Sequence, residues 1–400
     1  MKVLLIDVNC KNSSTGKIVY DLYSHINSVG DEAAICYGRG KKISEKNVFK
    51  FGLDVETYIH ALLTRLTGYT GCFSPFSTRR LLKFIKKFKP DVVHIHELHA
   101  YFVNIKPLLR YLAKNKIKTV MTLHCEFAYT GKCGHSVECE NWKTECKNCP
   151  RLHDYPASLF FDHTTHMFNQ KKKLFKQIED LTIVAPSSWL AERAKQSIFA
   201  DREIKVVHNG IDTEIFSPKE TSDLKTKHDI ADCEKVVLAL APNLMSSNKG
   251  GKYVLQLADM MKEKKVRFIM IGVDGEYVSE NENVIILPRI YDKVLLAKYY
   301  SLADAFLICS ERENFPTTCL EAQCCGTPVC GFDVGGVRET AFFDNLVVEY
   351  GDLEALKVAV SLALSEDKKI TEISKTAFEK FDKSMMVSSY LNLYFDNNGG

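Results

Sequence analysis

Two glutamates in the C-terminal half of the chain, Glu313 and Glu321, are separated by seven residues. An apolar run of strand length, Ala305 to Cys309, precedes them, and a segment without helix breakers begins between them. Unpaired N–H groups at a helix start favour an anion, and carboxylates accept hydrogen bonds from hydroxyl groups. The pattern therefore predicts a site for a diphosphate with hydroxyl groups beside it, and two solvated glutamates are the alternative. The residues that would line this site are Asn314, Phe315, Pro316, Thr317 and Thr318.

The elements that must position these glutamates are a strand, a loop, a helix and a second strand from Thr327 to Gly331. Ligands of open parallel sheets bind at the carboxyl ends of the strands. Glu313 is then expected on the loop after the first strand, and Glu321 in the first turns of the helix. Further strands, such as Lys235 to Ala241 and Val266 to Ile271, alternate with helical segments. This alternation predicts a Rossmann-like α/β domain.

A lysine, Lys249, ends the loop that follows the strand from Lys235 to Ala241. A lysine at a helix start can neutralise a diphosphate as a point charge, so we expect Lys249 beside the anion. Arg289, which follows a strand from Val284 to Leu287, is a second candidate for this task.

The N-terminal half begins with an apolar strand, Lys2 to Val8, and a polar loop that ends at Gly16. A glycine there allows a ligand to approach the backbone closely, and an ordinary strand-to-helix turn is the alternative. The loop is not a P-loop, because Lys11 replaces the first glycine and Ile18 replaces the hydroxyl ligand of magnesium. A later strand, Lys118 to His124, ends in a histidine.

Four cysteines lie close together in the sequence, at Cys133, Cys139, Cys146 and Cys149. Two thiolates with two residues between them can chelate one zinc ion from a tight turn, and two more complete a tetrahedral structural site. The segment 125–150 is an insertion with little apolar content, so a zinc ion would fix its shape. We predict a structural zinc site, and four unpaired thiols are the alternative.

The segment from Ser77 to Lys89 contains six basic residues and no acidic residue, with apolar residues at helical spacing between them. Such a helix can lie on an anionic membrane surface. A helix with a solvated basic face and a core-facing apolar stripe is the alternative.

The composition of the 400 residues is that of a globular protein, with 46% hydrophobic and 26% charged residues. The length predicts two or three domains. A net charge of +3 gives no indication of nucleic-acid binding. Asp7 interrupts the first apolar run, so no signal peptide is predicted, and no apolar run reaches the length of a membrane span. We expect a cytoplasmic protein with reduced thiols, in contact at most with the inner face of the cell membrane.

The spacing of Glu313 and Glu321, with the sequence from Cys325 to Val329 behind it, resembles the signature of the retaining glycosyltransferases of family 4. The segment from Asn209 to Asp212 resembles the linker between the two domains of that family. The similarity extends over most of the chain.

The resemblance implies the GT-B fold, an α/β fold of two Rossmann-like doubly wound domains that face a cleft. It implies an acceptor-binding domain at 1–200, which carries the insertion 125–150, and a nucleotide-sugar-binding domain at 201–380. The last segment, 381–400, is expected to form a helix that crosses back to the first domain.

The resemblance also assigns roles to individual residues. Glu313 would contact hydroxyl groups of the donor sugar, Glu321 would hold the nucleotide ribose, and His124 would touch the donor sugar. Gly16 would approach the donor phosphates from across the cleft. The family usually has an arginine six residues before its lysine, and Asn243 stands at this place, so one cationic group is missing.

The implied reaction is transfer of a sugar, with retention, from a UDP- or GDP-sugar to a glycan or polyprenyl-diphosphate-linked acceptor in surface polysaccharide synthesis. No Asp-x-Asp pair occurs in the chain, so we expect no catalytic metal. Lys249 and helix N-termini would stabilise the leaving diphosphate. A non-catalytic partner subunit of the same fold and an interaction protein organised by the cysteine loop are the alternatives.

Family 4 enzymes of bacterial capsule and exopolysaccharide pathways look similar around the cysteines, from His124 through Ala128-Tyr129-Thr130-Gly131-Lys132-Cys133 to the three later cysteines. The chain departs from that pattern at Cys125, where an aspartate is usual beside His124. The acceptor side therefore lacks its usual carboxylate, and we expect Glu126 to take its place.

Overall fold

The computed structural model of the chain describes residues 1–273, 275, 277, 279–365 and 370–395. The chain forms two units. The first consists of Met1–Val207 together with the chain from Val387 onward, and the second is His208–Met386. Each unit has one parallel sheet and its own buried core, so the predicted α/β class is confirmed.

The sheet of the first unit is made of the strands β1 (Lys2–Asp7), β2 (Glu32–Tyr37), β3 (Val48–Lys50), β4 (Val92–Ile95), β5 (Lys118–Thr122), β6 (Leu181–Ala185) and β7 (Ile204–Val206). Their order is β3-β2-β1-β4-β5-β6-β7, and neighbouring strands are parallel. The central strands are apolar and almost fully buried, as expected of parallel strands covered on both faces. The order reverses at β1, so the loops after β1 and β4 start side by side.

The helices of the first unit connect these strands. They are α1 (Ser14–Ser28), α2 (Asp54–Thr67), α3 (Pro75–Phe88), α4 (Ile105–Lys114), α5 (Thr164–Lys176) and α6 (Ser188–Lys195). Serine hydroxyls cap two of them: Ser13 Oγ accepts from the Gly16 N–H at 2.9 Å, and Ser187 Oγ accepts from the Leu190 N–H at 3.1 Å. These caps fix where α1 and α6 begin.

The second unit repeats the alternation of strands and helices. Its elements are α7 (Ser222–Lys227), β8 (Lys235–Leu240), α8 (Gly251–Met260), β9 (Val266–Ile271), β10 (Val284–Leu287), α9 (Lys293–Leu302), β11 (Ala305–Ile308), α10 (Thr317–Cys324), β12 (Val329–Phe332), α11 (Val337–Thr340), β13 (Val347–Val348), α12 (Leu353–Ser365) and α13 (Ile370–Phe381). The strand order is β10-β9-β8-β11-β12-β13, and neighbouring strands are parallel. The order reverses between β8 and β11, which is where ligands bind in open α/β sheets.

The last helix of the described chain, α14 (Lys383–Phe395), begins in the second unit and belongs to the first unit from Val387. Its Tyr394 hydroxyl lies 2.6 Å from Nδ1 of His94, a residue of β4. Its Tyr390 hydroxyl lies 2.9 Å from the Thr122 hydroxyl at the end of β5. Both tyrosines are buried, so α14 is part of the packed structure of the first unit.

Helix α3 contains the basic segment Ser77–Lys89, for which the sequence predicted contact with a membrane surface, with a solvated basic face as the alternative. Its apolar residues Leu81, Ile85 and Phe88 are buried in the core of the first unit, whereas Arg79 and Lys83 are exposed. Insertion of the apolar side of Ser77–Lys89 into a membrane is therefore excluded by this packing, and the alternative of a solvated basic face is the one observed. Within the described residues, no helix has the length and apolarity needed to cross a membrane.

Candidate active site

Lys249 and Glu313 lie together where the strand order of the second sheet reverses. Lys249 ends the loop after β8, and Glu313 lies on the loop after the neighbouring strand β11. The Lys249 Nζ donates to Glu313 Oε1 at 2.6 Å, and the two side chains are 28% and 17% exposed. A charge-assisted hydrogen bond of this length holds both groups in place. The sequence predicted the two residues separately, and the fold brings them together.

Two glycines in left-handed conformation fix the loop that carries Glu313. A Cβ on Gly250, which has φ 74°, would lie 2.0 Å from the carbonyl oxygen of Cys309. A Cβ on Gly335, which has φ 61°, would lie 1.8 Å from the carbonyl oxygen of Glu313. The Gly336 N–H donates to that same oxygen at 2.9 Å. Only glycine fits at Gly250 and Gly335, and sequence reasoning had not assigned Gly335 to the site.

Helix α10 begins at Thr317, four residues after Glu313. Its N-cap residue, Pro316, provides no capping side chain, so the amides of Thr317 and Thr318 in the first turn are suited to an anion. Phe315 anchors the turn from inside: it is buried, and its ring stacks on His208 with 4.7 Å between the ring centroids. The turn before the helix is therefore packed into the core of the second unit.

Glu321 lies in the second turn of α10 and is positioned by the preceding helix. The Tyr300 hydroxyl of α9 donates to Glu321 Oε2 at 2.9 Å. Burial, and then the neighbouring Glu321 carboxylate, raise the pKa of Tyr300 well above its usual value, so it remains a hydrogen-bond donor. Tyr300 is a site residue that the sequence did not indicate, because α9 precedes α10 by a whole strand.

The remaining residues predicted for the donor side, Asn243 and Arg289, are exposed. Asn243 lies in the loop after β8, where its carbonyl oxygen accepts from the Ser246 hydroxyl at 2.8 Å. Arg289 follows β10, the edge strand, which β9 separates from β8. Its guanidinium lies over the ring of Tyr291 at 4.9 Å. Arg289 is thus not placed on the loops that bring Lys249 and Glu313 together.

In the first unit, Gly16 lies in the first turn of α1, against the loop after β1. A Cβ at this position would lie 2.9 Å from Ser13 Oγ and 3.1 Å from the carbonyl oxygen of Asn9. Local packing therefore explains the glycine, which agrees with the ordinary turn that the sequence left open. Its role toward donor phosphates stays a prediction.

Two buried carboxyl groups lie at the carboxyl edge of this first sheet. Asp7 ends β1, and Glu97 follows β4, the neighbouring strand. Burial raises the pKa of each to about 8, and the charge of Glu97 contributes to the shift of Asp7. Asp7 Oδ2 accepts from the Thr15 hydroxyl at 3.1 Å, whereas Oδ1 is buried without a hydrogen-bond partner among the described residues. The pair offers protonated carboxyl groups at neutral pH.

His124 belongs to a row of histidines beside these carboxyl groups. Its Nε2 lies 3.0 Å from Nδ1 of His96, and the ring of His96 lies 3.9 Å from that of His94. Burial lowers the pKa of His124 to about 4 and the pKa values of His94 and His96 well below the usual value. All three are neutral at pH 7, so His124 is suited to hydrogen bonding and not to donating a proton as an imidazolium.

Glu126 is placed differently from what the sequence led us to expect. Its side chain is fully buried, and Oε1 accepts from Arg193 Nε at 2.8 Å and from the Tyr129 hydroxyl at 2.9 Å. Oε2 accepts from the Ser136 N–H at 2.5 Å. A carboxylate with these partners holds the loop after β5 together. The acceptor-side role of Glu126 stays a prediction, and in this structure its carboxylate is bound by Arg193, Tyr129 and Ser136.

Glu97 is the carboxyl group that stands beside Cys125 instead. The Cys125 thiol donates to Glu97 Oε2 at 3.5 Å, and His99 Nδ1 lies 3.2 Å from the same oxygen. Glu97, His99 and Cys125 are the one set of three metal-binding side chains in the described part of the chain whose ligand atoms all lie within 4.8 Å of one another. One oxygen, one nitrogen and one sulfur ligand form a set that zinc accepts.

The four predicted zinc ligands line one small cavity together with Trp142; they are Cys133, Cys139, Cys146 and Cys149. Within the described chain, no three of these thiols come within 4.8 Å of one another, whereas sulfurs of a tetrahedral zinc site are about 3.8 Å apart. Two buried lysines, Lys132 and Lys171, lie nearby. Burial lowers the pKa of Lys171 to about 8.

Two family models match the chain in succession. The model of Glycosyltransferase Family 4 matches residues 15–215, which is about half of the chain. The model described as Glycosyl transferases group 1 matches residues 222–380.

Relatives with curated names match at low identity. The chain is 24% identical over 417 residues to WcaC of Escherichia coli (strain K12), which is named as a glycosyl transferase of colanic acid biosynthesis; the match covers 98% of this chain and 99% of that protein. It is 27% identical over 189 residues to the N,N'-diacetylbacillosaminyl-diphospho-undecaprenol alpha-1,3-N-acetylgalactosaminyltransferase of Campylobacter jejuni, covering 45% of this chain and 50% of that protein.

Solved structures match along the whole length. Sucrose-phosphate synthase from Thermosynechococcus elongatus superimposes with a TM-score of 0.70 at 14% identity, covering 98% of each chain. HepE from Anabaena, in complex with UDP and glucose, superimposes with a TM-score of 0.61 at 15% identity, covering 98% of this chain and 99% of that chain. At these identities the likeness concerns the fold, and it confirms the predicted GT-B class.

Proposed function

Because this chain is a glycosyltransferase that belongs to family 4, we propose that it transfers a sugar, with retention, from a nucleotide-sugar to a glycan or lipid-linked acceptor in the synthesis of a surface polysaccharide. The observation that carries the proposal is the ion pair of Lys249 and Glu313 beside the start of α10, in the same unit as the Tyr300–Glu321 hydrogen bond. These groups offer a positive charge, helix amides and two carboxylates to one ligand.

In this proposal the donor lies across the loops after β8 and β11. Glu321, held by Tyr300, accepts hydrogen bonds from the ribose hydroxyls. The amides of Thr317 and Thr318 and the ammonium group of Lys249 bind the diphosphate. An ammonium group has three protons, so Lys249 can keep its bond to Glu313 while it donates to a phosphate oxygen. Glu313 in turn accepts from hydroxyl groups of the donor sugar.

The chemical step follows from this placement. The bond between the anomeric carbon and the diphosphate breaks, and Lys249 and the helix amides stabilise the negative charge that develops on the leaving group. The acceptor hydroxyl attacks the oxocarbenium-like carbon from the same face, and a donor phosphate oxygen takes its proton. Glu313 is paired with a cation, which makes it a weak nucleophile and suits it to orienting the sugar.

On the acceptor side we propose Glu97 and Asp7 as the groups that bind an acceptor hydroxyl, with His124 as a neutral hydrogen-bond partner. Buried carboxyl groups with a pKa of about 8 can donate or accept a hydrogen bond at neutral pH. This assignment moves the acceptor-side carboxylate from Glu126 to Glu97. It needs no metal, although the set of Glu97, His99 and Cys125 fits one.

The nature of donor and acceptor rests on relatives. HepE is in complex with UDP and glucose, which supports a UDP-sugar as the donor of this chain, and a GDP-sugar is the alternative. WcaC is named for the biosynthesis of colanic acid, and the Campylobacter enzyme is named for a sugar linked to undecaprenol through a diphosphate. The first name supports a polysaccharide pathway, and the second supports a lipid-linked acceptor. A cytoplasmic location stays a prediction.

We also propose that Cys133, Cys139, Cys146 and Cys149 bind one structural zinc ion. Their thiols surround one cavity, and a site of four thiolates with zinc carries a net negative charge that buried ammonium groups balance. Lys132 and Lys171 supply such groups, since both are buried. Zinc binding requires the thiols to move closer together than they are in this structure.

The proposed function is tested by thermal unfolding with a panel of UDP-, GDP-, ADP- and dTDP-sugars. A ligand at a hundred times its dissociation constant stabilises the folded state by about 2.7 kcal/mol, which shifts unfolding by several degrees. We expect a shift with one nucleotide class for the wild type and for Glu354→Ala, a change at an exposed residue of α12. Glu321→Ala is expected to lose it.

If the nucleotide still raises the unfolding temperature of Glu321→Ala, the proposed contact between Glu321 and the ribose is contradicted. If no nucleotide stabilises the wild type, alone or with an acceptor present, the result favours a non-catalytic partner subunit. The lack of a cationic residue at Asn243 favours the same alternative.

A further inference from the structure

Helix α2 has its polar residues inside and its apolar residues outside. The residues that it buries are Glu56, Thr57, His60 and Thr64. The residues that it exposes, at helical spacing, are Val55, Tyr58, Ile59, Leu62 and Leu66, with exposed fractions of 72%, 74%, 51%, 55% and 40%. A surface helix of a globular protein normally has the opposite arrangement.

Polar contacts hold α2 to the rest of the first unit. The carboxylate of Glu56 accepts from the N–H groups of Phe76 and Ser77 at 2.8 and 2.7 Å, at the start of α3. His60 Nδ1 lies 2.8 Å from the Ser74 hydroxyl. The inner face is thus fitted to its neighbours by hydrogen bonds, and turning the helix to bury its apolar face would break them. The exposed apolar face is therefore built into the fold.

The apolar surface continues beyond α2. The Leu159 N–H donates to the carbonyl oxygen of Arg65 in the last turns of the helix at 2.8 Å. Leu159, Phe160 and Phe161 are 50%, 66% and 55% exposed, and Phe76 is 64% exposed. We call these four residues and the exposed apolar residues of α2 the α2 patch. Apolar surfaces of this extent mark sites of interaction.

Basic residues flank the α2 patch. Tyr58 lines a groove together with four basic residues and one acidic residue, and these are Arg39, Lys41, Lys42, Lys50 and Asp54. Arg80 of α3 donates to the carbonyl oxygen of Lys50 at 3.3 Å, which ties the basic face of α3 to this groove. Aromatic and aliphatic side chains beside lysines and arginines fit the interface of an anionic bilayer, where the rings lie at headgroup level and the cations attract the lipid.

We propose that the α2 patch inserts into the surface of an anionic lipid bilayer, with the basic groove facing the headgroups. The surface differs from the one that the sequence suggested, because the apolar residues of α3 are in the core and those of α2 are not. The inference goes beyond the transferase function, since it concerns only where the first unit attaches. A second copy of the chain is the competing occupant of the α2 patch.

The test is sedimentation of the full chain with vesicles of phosphatidylcholine, with and without phosphatidylglycerol. We expect binding to the anionic vesicles, weakened by added salt. The double variant Ile59→Asp with Leu62→Asp is expected to bind them at least about tenfold more weakly, because two apolar side chains leave the lipid. The matched control is Val294→Asp with Val358→Asp, two residues of the second unit that are 53% and 66% exposed, and it is expected to bind like the wild type.

Circular dichroism and cooperative thermal unfolding check that both variants are folded. Equal binding of wild type, variant and control would overturn the proposal. If the wild type is a dimer that does not bind vesicles, and only the α2 variant is a monomer, the α2 patch contacts a second copy of the chain and the proposal is overturned. Vesicle binding without a nucleotide-induced thermal shift would support this proposal and contradict the proposed function. A thermal shift without vesicle binding would support the proposed function and contradict this proposal.

Discussion

At the scale of single residues, the carboxyl group of Glu97 and the carboxylate of Glu126 have opposite environments. Glu97 is buried beside a thiol and near a second carboxyl group, Asp7, whereas Glu126 is paired with Arg193 at 2.8 Å. Burial raises the pKa of Glu97 to about 8. Its ordinary value is about 4.3, so between these two pH values the folded protein holds a proton that the unfolded chain lacks.

Because the folded state binds the extra proton, the contribution of Glu97 to stability is present at low pH and is lost as the pH rises toward 8. Glu97→Gln keeps the shape of the protonated group and removes the titration. We therefore expect the melting temperature of Glu97→Gln, relative to the wild type, to be higher at pH 8 than at pH 5, as measured by calorimetry.

Glu126→Gln is the matched control for this prediction. It removes one charge of a buried ion pair, which costs about 3 kcal/mol, so it should be less stable than the wild type at both pH values. A difference between Glu97→Gln and the wild type that is the same at pH 5 and pH 8 would mean that Glu97 is already ionised in the folded protein.

These two glutamates also mark how far the site could be predicted from the sequence. Glu313, Glu321 and Lys249 lie next to strand ends and helix starts, so local pattern and the rules of parallel sheets predicted where they lie in the fold. The pattern left two solvated glutamates as the alternative, and the resemblance to family 4 favoured the donor site. Glu126 was chosen for its position next to Cys125 in the chain. Which carboxyl group stands beside that thiol depends on how the loops after β4 and β5 pack, and sequence proximity does not carry this information.

At the scale of elements, the cysteine loop, which carries Cys133, Cys139, Cys146 and Cys149, is the segment for which we propose a zinc ion. A structural zinc ion contributes its binding free energy to folding, so its loss should loosen the first unit. We predict that the purified protein contains one zinc ion per chain and that a strong chelator lowers its melting temperature. Elemental analysis of the metal content and calorimetry with and without chelator check both statements.

Three serine variants locate the ion. Cys149→Ser is expected to lose the zinc, whereas Cys233→Ser, a change at an exposed cysteine of the second unit, is expected to keep it. Cys125→Ser separates the two candidate sites, because Cys125 belongs to the set with Glu97 and His99. If Cys125→Ser loses the zinc and Cys149→Ser keeps it, the ion is bound by Glu97, His99 and Cys125. A wild type without zinc would show that the cysteines of the loop are thiols that bind no metal.

Helices α2 and α3 show that a helical period does not fix which face of a helix is buried. The periodicity of Ser77–Lys89 correctly indicated an amphipathic helix, with an apolar face that the core accepts. Helix α2 has the same periodicity, but its polar face is buried, because the Glu56 carboxylate accepts hydrogen bonds from the N–H groups at the start of α3. A helical period identifies two faces, and only the neighbouring elements decide which of them is buried.

At the scale of the whole molecule, the two units differ in how the chain builds them. The second unit, His208–Met386, is continuous in sequence and contains Lys249, Glu313 and Glu321 together with Tyr300. The first unit needs α14 in addition to Met1–Val207. The strand and helix alternation predicted the sheet of the second unit, and the resemblance to family 4 implied a second Rossmann-like domain. That α14 completes the first unit depends on hydrogen bonds between residues that are far apart in the chain.

We therefore predict that the fragment 208–386 binds the donor nucleotide with about the affinity of the whole chain, as measured by isothermal titration calorimetry on a fragment that circular dichroism finds folded. The fragment 1–207 should be unstable, because without α14 the buried polar groups of His94 and Thr122 lose the hydroxyls of Tyr394 and Tyr390. Each lost partner costs about 1–3 kcal/mol. Joining residues 383–395 to this fragment through a flexible linker should restore its folding.

The fragment 208–386 with Glu321→Ala is the control, and it should not bind. A folded wild-type fragment that fails to bind the nucleotide would show that the donor site is incomplete without the first unit. Gly16 and His124 are the residues of that unit with a predicted donor contact, so Gly16→Ala and His124→Ala in the whole chain would then be expected to weaken binding. If the fragment binds like the whole chain, recognition of the nucleotide belongs to the second unit alone, and the first unit is left to the acceptor and the membrane.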